Sequence, residues 1–448
     1  MNRYTAQQAT LTGWSLTLSS RTTKVTVPVK KVPCAVNDHS SFIVRGAGRS
    51  YGDCASLSGG HTFELENKSL WIDQQGVLVA SANVTVGDIL EYSVPLGWFL
   101  PVTPGTSYAT LGGLVAADAH GKNHHKSGSL GEHLIELGMV DASGTALIAS
   151  RTVNSDLFKA TIGGMGLTGV IVQVSVQMLQ IESSAMEVTT SKHANVRSIL
   201  DAMIRCDNLF DYSVAWLDMS TYGTKAGRGL LHQGKHVKSE NLPTANKDKP
   251  LAYTRPSARA IPLRSPIKIV NRVTTYVFNK LWYNKFYGKT KVSIETLNKF
   301  FYPLDRVNDW NKVYQKGVLQ YQFVVPHHEV DVLEKIVQMF IQNKCPIFLV
   351  VLKQMGHEGE GLLSFPTKGW TLAVDIPADH VGILELLDKI DGMVTSANGR
   401  VYLAKDSRMD HCVIPRMYPK FSMFKEIKNK YDPERKIVSD MSERLKLC

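Results

Sequence analysis

The 448-residue sequence lacks the features of disulfide-stapled, zinc-binding and membrane-spanning proteins. Its six cysteines are too sparse for a disulfide framework, and none forms a CxxC pair that could start a zinc site. The longest clearly apolar stretch, residues 346–352, is far shorter than the roughly 20 residues that cross a bilayer. The first residues lack the apolar segment of a secretory signal. We therefore expect free thiols, no transmembrane helix, and a location in the cytoplasm or peripherally at the inner face of a membrane.

Acidic residues are missing from one long window. No Asp or Glu occurs between Asp248 and Glu295, where ten Lys or Arg residues alternate with aromatic and branched aliphatic residues, and the whole chain has 51 Lys+Arg against 40 Asp+Glu. Cations among aromatic side chains suit lipid headgroups, a phosphorylated substrate or nucleic acid, although a solvated surface explains the charge equally well. We expect partial disorder across residues 221–291.

The remaining composition, 44% hydrophobic and 20% charged, is typical of a soluble globular protein with two or three domains. Alternating apolar residues predict strands at 170–176, 212–218, 318–325, 347–353, 370–376 and 400–405, and 3.6-residue periodicity predicts helices near Val196 and Val332. The fold class is α+β, with an antiparallel sheet flanked by helices in the middle of the chain. We place domains at residues 1–182 and 183–399, followed by a C-terminal segment at 400–448.

Two glycine-rich segments carry the chemistry. In the first, residues 45–53, three glycines after a strand permit tight turns that bring backbone N–H groups close to a phosphate, although an ordinary turn explains the pattern equally well. Its GxGxxxG spacing is neither a dinucleotide fingerprint nor a Walker loop. In the second, residues 104–122, Gly112 and Gly113 at a helix start would leave N–H groups free for an anion. Together the two segments could grip a pyrophosphate. We expect no metal at the histidines 120, 124 and 125, since few carboxylates and no cysteine join them.

The segments RGAGRSYGDCA, PVTPGTSYATLGG, AADAHGKNHHKSGSLGEH and TIGGMGLTGVI resemble the PCMH-type, two-part FAD-binding domain of the vanillyl-alcohol-oxidase superfamily. Within it, the HGKNHH block followed by GSLGEH is similar to the decaprenylphosphoryl-ribose 2′-oxidase family. Matches continue through SVAWLD, FFYPLD, VLQYQFVVP, YLAKDSR and SDMSERL, and are weakest in residues 221–291. The resemblance implies an FAD domain, a substrate-binding cap domain, and a C-terminal segment that returns to the FAD domain.

The resemblance also assigns residues to roles. The cofactor-binding positions that it implies are Arg45, Gly46, Ala47, Gly48, Arg49, Ser50, Tyr51, Gly52, Asp53, Gly105, Thr110, Leu111, Gly112, Gly113, His120, Gly121, Lys122, Asn123, Ile171 and Tyr402. The substrate-side positions are Lys122, Trp216, Gln320, Gln322, Lys353 and Lys405. Alone, Gln320 and Gln322 fit an exposed strand edge as well as a sugar pocket, and a lone lysine usually snorkels.

Three positions depart from the family pattern. Covalent members of the superfamily often have a histidine where this chain has Arg49, so we expect dissociable FAD. The family has a cysteine and an asparagine where the strand 370–376 carries Ala373 and Thr371, which leaves the details of substrate binding open.

The activity that the resemblance implies is oxidation of a sugar secondary alcohol, the 2′-OH of a polyprenyl-phosphate pentose, in cell-wall polysaccharide synthesis. Hydride leaves the carbon for the flavin while a base, Lys405 or His120, takes the hydroxyl proton. A quinone or oxygen would accept the electrons, and a short-chain reductase partner would reduce the 2-keto product. Two alternatives stay open: an aldonolactone or alditol oxidase of soluble sugars, and a basic nucleic-acid or membrane-binding protein without redox chemistry. We expect no nucleic-acid partner.

Overall fold

The fold is that of a computed structural model, which describes residues 4–206, 208–244, 247–255, 257–286 and 288–448. The strands, in chain order, are β1 (Thr5–Thr12), β2 (Ser19–Pro28), β3 (Phe42–Val44), β4 (His61–Glu66), β5 (Leu70–Ile72), β6 (Val77–Ser81), β7 (Trp98–Phe99), β8 (Leu134–Val140), β9 (Ala146–Ser150), β10 (Val170–Gln177), β11 (Leu179–Gln180), β12 (Ala185–His193), β13 (Tyr212–Leu217), β14 (Gly229–His236), β15 (Arg259–Ala260), β16 (Thr290–Thr296), β17 (Val307–Asn308), β18 (Val318–Pro326), β19 (Val350–Met355), β20 (Gly369–Pro377) and β21 (Arg400–Val401). The α-helices are α1 (Val32–Asp38), α2 (Val86–Ser93), α3 (Leu111–Ala116), α4 (His124–Ser127), α5 (Ser155–Thr161), α6 (Val196–Arg205), α7 (Arg272–Asn284), α8 (Leu297–Phe301), α9 (Val330–Gln342), α10 (Ile383–Ser396), α11 (Ile414–Met417), α12 (Phe421–Tyr431) and α13 (Asp440–Arg444).

The first part of the chain builds two sheets, in the orders β1-β2-β4-β3 and β5-β6-β10-β8-β9. Local signals set their elements. Strand β10 forms as predicted and buries Val174 and Val176, with Ser175 between them buried as well. Helix α2 begins at a capping box, in which Thr85 Oγ1 accepts a hydrogen bond from the Asp88 N–H at 3.2 Å and the Asp88 carboxylate accepts one from the Thr85 N–H at 3.0 Å. Two sheets with short helices agree with the predicted two-part domain.

A large antiparallel sheet follows, in the order β16-β12-β14-β13-β19-β20-β18-β21. Because side chains alternate across a strand, β18 turns Tyr321 and Phe323 toward a core that includes α6, α9 and α10. The Tyr321 hydroxyl donates to Asp391 of α10 at 2.7 Å. Gln320 and Gln322 point to the opposite face, away from the helices. The predicted α+β class, with helices on an antiparallel sheet, is confirmed.

Residues 221–291 contain β14 and the 13-residue helix α7, and the partial disorder expected elsewhere in this segment stays a prediction. One local expectation is wrong. The predicted strand at 400–405 stops after Val401: the Tyr402 N–H donates to the Gln322 carbonyl, and the chain then turns as a 3₁₀ helix over Leu403–Lys405. Lys405 therefore does not share a strand face with Val401 and Leu403.

The residues after β21 run back to the first sheets. The Phe42 N–H of β3 donates to the Lys436 carbonyl at 2.8 Å, and the Val438 N–H donates to the Phe42 carbonyl at 3.0 Å. The first glycine-rich loop is held by the same segment, because the Tyr51 N–H donates to the Ala404 carbonyl at 3.0 Å.

Candidate active site

The two glycine-rich segments touch each other. A Cβ placed on Gly46 would overlap Thr110 Oγ1, and a Cβ on Gly112 would crowd Ala82. A Cβ on Gly52 would overlap the Asp406 carbonyl, whereas Gly105 faces open space. Glycine is therefore required at Gly46, Gly112 and Gly52 by close approach of backbone or side chains.

The first loop presents free backbone donors. No residue that the structure describes accepts a hydrogen bond from the N–H groups of Gly46, Ala47, Gly48, Arg49 or Ser50. Gly46 and Ala47 are exposed, and Gly48 has a φ of 62°, which turns the backbone into the left-handed region. Successive N–H groups in such a turn form an anion-binding concavity. The loop can therefore hold a phosphate.

The arginines of this loop have different surroundings. The Arg45 guanidinium donates to the carbonyls of Thr12 at 2.7 Å and Ala55 at 3.3 Å, so it braces the loop from behind. The Arg49 guanidinium lies between two aromatic rings, 4.3 Å from the Trp14 centroid and 4.7 Å from that of Tyr108. Its Nε is buried without an acceptor in the described chain, which leaves one donor for a ligand.

Asp53, at the end of the first loop, is paired with an arginine from the C-terminal segment. Asp53 accepts two hydrogen bonds from Arg444, at 2.8 and 3.1 Å, and Arg444 also pairs with Asp406 at 2.8 Å. This bidentate pair ties the loop to α13. Asp53 therefore positions the loop, with its carboxylate committed to Arg444.

In the second glycine-rich segment, the N–H groups at the start of α3 are hydrogen-bonded within the protein. Thr110 caps α3 by accepting from the Gly113 N–H at 3.3 Å, while the N–H groups of Leu111 and Gly112 donate to the Val84 and Ala82 carbonyls, each at 2.8 Å. The expectation that Gly112 and Gly113 leave free N–H groups at this helix start is wrong. Leu111 is fully buried in the core, so this segment forms a packed wall beside the donor loop.

His120 lies at the centre of a buried polar cluster. Its Nδ1 is 2.8 Å from Lys353 Nζ, and its Nε2 is 2.9 Å from the Gln322 amide. The rings of Tyr402 and Phe365, stacked on each other at 4.6 Å, lie beside it. Burial, with the nearby Lys353, keeps the pKa of His120 well below its usual value. The imidazole is therefore neutral at neutral pH.

The neighbours of His120 point in separate directions. The Lys122 ammonium donates to the Phe300 carbonyl and lies 4.5 Å from the centre of the Phe300 ring. Asn123 donates from its amide to the Pro101 carbonyl at 2.8 Å, and its Oδ1 is buried without a partner in the described residues. A Cβ on Gly121 would collide with that same Oδ1, so glycine permits the approach of Asn123.

The substrate-side residues share one face of the large sheet. Strand pairing sets Trp216 opposite Val351, Val351 opposite Ala373 and Ala373 opposite Gln322, which forms one row across β13, β19, β20 and β18. Directly opposed residues of antiparallel strands project to the same side. Neighbouring rows add the remaining polar members of this face: Lys353 opposite Thr371, and Gln320 opposite Asp375. The alternation that predicted Gln320 and Gln322 on a common face is confirmed.

Asp375 is a member that sequence reasoning missed. It is fully buried, accepts a hydrogen bond from the Gln320 amide, and has Oδ2 without a partner in the described chain. The Gln320 amide also donates to the Tyr51 hydroxyl at 3.1 Å, which links the sheet to the first loop. In the sequence, the single acid within the apolar stretch GWTLAVDIP could have pointed to Asp375 as a functional residue.

Lys405 completes the cluster from the C-terminal segment. Its ammonium lies 4.4 Å from the centre of the Tyr51 ring, and no described residue accepts a hydrogen bond from it. Burial lowers the pKa of Lys405, and the charge of Asp375 opposes that shift. Burial likewise raises the pKa of Asp375. The two groups interact electrostatically, and burial shifts their pKa values in opposite directions.

The cluster carries more positive than negative charge. Burial lowers the pKa of Lys353 to about 7, helped by repulsion from Lys122 and Lys405, and lowers the pKa of Lys122 to about 7. Crowded, partly buried cations of this kind favour an anionic ligand, since the ligand's charge would offset their repulsion. Shifted pKa values concentrate at functional sites.

The last two predicted cofactor positions are hydrophobic. Ile171 of β10 is buried in the core that also contains Leu111. Tyr402 is buried, and its hydroxyl donates to the Ala117 carbonyl at 2.9 Å, beyond the end of α3. Both are positioned by packing between elements that are distant in sequence.

Among the described residues, the group of side chains with metal-ligating spacing is Asp410, His411 and Cys412, which are consecutive and largely exposed. The described helices include none that is both long and apolar enough to cross a bilayer.

The residues present fit an FAD molecule on these observations: five consecutive free N–H groups at 46–50, the orphaned Oδ1 of Asn123, and a glycine-lined contact between the two segments. A loop of N–H groups suits a pyrophosphate, and an amide oxygen suits a ring N–H.

Comparison with known proteins agrees with that fit. Residues 29–150 match the FAD binding domain family. The chain is 34% identical to decaprenylphosphoryl-beta-D-ribose oxidase of Mycolicibacterium smegmatis over 90% of this chain and 89% of that protein. It is 32% identical to an uncharacterised protein of Streptomyces coelicolor over 81% of this chain and 100% of that protein. L-gulonolactone oxidase of Scyliorhinus torazame is 30% identical over 25% of each chain.

The fold and site thus define an FAD-dependent oxidoreductase with a PCMH-type cofactor domain. Within that class, the chain belongs to the family of decaprenylphosphoryl-β-D-ribose oxidase. Membership decides against the non-redox alternative.

Proposed function

We propose that this enzyme oxidises a secondary hydroxyl of a sugar, the 2′-OH of a polyprenyl-phosphate-linked pentose, to a ketone. The observation that carries the proposal is the polar face formed by Gln320, Gln322, Lys353 and Asp375 opposite His120. Amides, a carboxylate and an imidazole, set in an otherwise apolar sheet, suit the hydroxyl groups of a sugar ring.

The excess of partly buried cations supports a phosphate on that sugar. Lys122, Lys353 and Lys405 lie near one another, as their mutual effect on the Lys353 pKa indicates, and the acid that acts on Lys405 is Asp375. A phosphodiester would offset their repulsion and raise their pKa values again. The relative from Mycolicibacterium smegmatis is named as an oxidase of decaprenylphosphoryl-β-D-ribose, which agrees with this inference.

FAD, when bound, supplies the acceptor for the hydride that leaves the carbinol carbon. The chain supplies the base. His120 has both ring nitrogens engaged, by Lys353 and Gln322, whereas Lys405 Nζ has no hydrogen-bond acceptor among the described residues. Burial lowers the Lys405 pKa, so a neutral amine is accessible near neutral pH. In our proposal Lys405 takes the hydroxyl proton, while Lys353 and Gln322 hold the His120 ring in place beside the substrate.

We further propose that the cofactor is dissociable. The guanidinium of Arg49 lies between Trp14 and Tyr108 at the position where covalent relatives often carry histidine, and arginine forms no bond to a flavin. The free N–H groups of residues 46–50 support reversible binding through the pyrophosphate.

The electrons would pass to a quinone or oxygen, and the 2-keto product is a substrate for a short-chain reductase. Oxidation of a soluble lactone or alditol is the second candidate, favoured by the similarity of a quarter of the chain to L-gulonolactone oxidase.

A substrate panel tests the proposal. The FAD-loaded enzyme is mixed without oxygen with a polyprenyl-phosphate ribose, a polyprenyl-phosphate arabinose, a free pentose and an aldonolactone, and loss of the oxidised-flavin absorbance is recorded. We expect rapid bleaching by at least one of the two polyprenyl-phosphate pentoses, and none by the free pentose or the aldonolactone. Bleaching by the lactone, with none by the lipid-linked sugars, would replace the proposal with the second candidate.

A further inference from the structure

Helix α7 turns its polar side inward and its apolar side outward. Thr275 and Asn279, one turn apart, are buried, and the Asn279 amide donates to Asp218 Oδ1 and to the Ile347 carbonyl, each at 3.1 Å. On the opposite side, Val273 is 72% exposed and Leu281 is 67% exposed. A helix on a soluble protein normally shows the reverse arrangement, so this face is built to be covered.

The apolar face continues into the loop that precedes α7. We call its exposed members the α7 surface: Leu263, Ile267, Val273, Tyr276, Val277 and Leu281. Because the helix is anchored through polar groups on its other side, these side chains are held outward. Their exposure is thus fixed by the fold, and reorientation of the helix would break the Asn279 hydrogen bonds.

The unpaired charges of the segment that carries the α7 surface are positive, whereas its Lys268 pairs with Asp379 at 2.9 Å. Arg272, Lys280 and Lys285 form no ion pair with any residue that the structure describes, and no acid occurs in the sequence between Asp248 and Glu295. Cations flanking exposed apolar side chains match the interface of an anionic bilayer, where headgroup phosphates lie above acyl chains. A protein partner would need an acidic rim around an apolar patch, a more particular requirement.

The α7 surface is one layer of side chains away from the candidate active site. Phe278 of α7 packs on Phe348 with ring centroids 5.5 Å apart, and the Phe348 carbonyl accepts a hydrogen bond from Trp216 Nε1 at 2.7 Å. Phe348 also stacks on Tyr314 at 6.0 Å, in the same aromatic cluster as Tyr51.

We propose that the α7 surface docks on an anionic lipid bilayer. Its apolar side chains enter the boundary between headgroups and acyl chains, and Arg272, Lys280 and Lys285 contact lipid phosphates. The inference deepens the proposed function, on which its role in substrate delivery rests, because a polyprenyl-linked sugar resides in such a bilayer. Docking itself requires neither substrate nor turnover.

The test measures binding of the FAD-loaded enzyme to vesicles by co-sedimentation, without substrate. Vesicles of phosphatidylcholine mixed with phosphatidylglycerol are compared with vesicles of phosphatidylcholine alone. We expect binding to the anionic vesicles that weakens with added salt. The variant V273E/L281E should bind them at least about tenfold more weakly, because two inserted side chains are lost and two acids are added.

Matched controls lie on another helix. Leu384→Glu changes a leucine that is also exposed, on α10, and should bind like the wild type. Lys280→Glu should weaken binding several-fold. Lys389→Glu makes the same change of net charge at an exposed position of α10 and should not weaken it. Thermal melting checks that each variant is folded.

Three outcomes would overturn the proposal: no binding by the wild type, equal binding by V273E/L281E and the wild type, or an equal loss of binding in V273E/L281E and Leu384→Glu. A fourth is a lipid-free wild-type dimer that V273E/L281E converts to monomers, since a second copy would then cover the surface. Failure of vesicle binding leaves the flavin-bleaching result untouched, so the two proposals fail separately.

Discussion

Lys353 Nζ lies 2.8 Å from His120 Nδ1, and this contact joins β19 of the large sheet to the segment after α3. Burial holds the pKa of each partner below its usual value. The pair carries at most one positive charge near neutral pH, because a second would place two cations in contact in a partly buried site. The contact therefore makes the site sensitive to pH and to anions.

The stability of the cofactor-free protein should rise with pH. The Lys353 pKa is lowered to about 7 in the folded protein, against about 10.4 in an unfolded chain. Between these values the unfolded state binds the proton and the folded state does not, so the free energy of unfolding increases with pH across that window. Lys353→Met should remove up to about 1.4 kcal/mol per pH unit of this slope.

Urea denaturation at several values between about pH 7 and pH 10 measures that slope. Lys389→Met, a change at an exposed lysine of α10, should keep the wild-type slope. A slope unchanged in Lys353→Met would mean that Lys353 keeps its proton in the folded protein.

Lys405→Ala should retain FAD and lose turnover. A positioned general base contributes about 10²- to 10⁴-fold, so we expect a decrease in kcat of that size with the flavin spectrum intact. Added methylamine should restore part of the rate, which a purely structural role for Lys405 would not allow. Lys389→Ala is the control, and near-normal turnover in Lys405→Ala would exclude this lysine as the base.

Gly46→Ala should weaken FAD binding by about tenfold, because the new methyl group overlaps Thr110 Oγ1 and forces the two glycine-rich segments apart. Titration of the cofactor-free protein with FAD, followed by flavin fluorescence, measures the change. Gly392→Ala adds a methyl group on α10, where a Cβ meets no atom within 4 Å, and should bind like the wild type. Adding Thr110→Ala to Gly46→Ala should restore part of the affinity. If Gly46→Ala binds normally, the contact does not shape the cofactor site.

Acid precipitation should release FAD into the supernatant. With Arg49 held between Trp14 and Tyr108, the loop offers no nucleophile of the kind that covalent relatives use. The pelleted chain, run on a denaturing gel, should show no flavin fluorescence. A fluorescent protein band would contradict the expected dissociable cofactor.

Much of this arrangement follows from local sequence. Thr85 and Asp88 predict the start of α2. Alternation along β18 places Gln320 and Gln322 on the face opposite Tyr321 and Phe323. These signals are local because capping and pleating act within a few residues. The glycine spacing of residues 45–53 likewise reflects a real donor loop.

Other features depend on pairing between distant segments. Asp375 joins the site because the register of β18 and β20 sets it opposite Gln320, and no pattern within β20 specifies that register. Lys405 reaches the site because the chain leaves β21 at Tyr402 and turns. The N–H groups of Leu111 and Gly112 are satisfied by carbonyls from residues 82 and 84, which the helix-start pattern could not reveal. The inward polar face of α7 depends on Asp218 and Ile347 in the same way.

The pair of Asp53 and Arg444 joins residues that are 391 positions apart. At a synthesis rate of roughly 5–20 residues per second, Arg444 is added to the chain tens of seconds after Asp53. The ion pair with Arg444 can therefore form only after residue 444 has been synthesised, and we expect tight FAD binding to begin only then. Nascent chains halted before Arg444 should be flavin-free and should depend on chaperones to protect the unfinished loop.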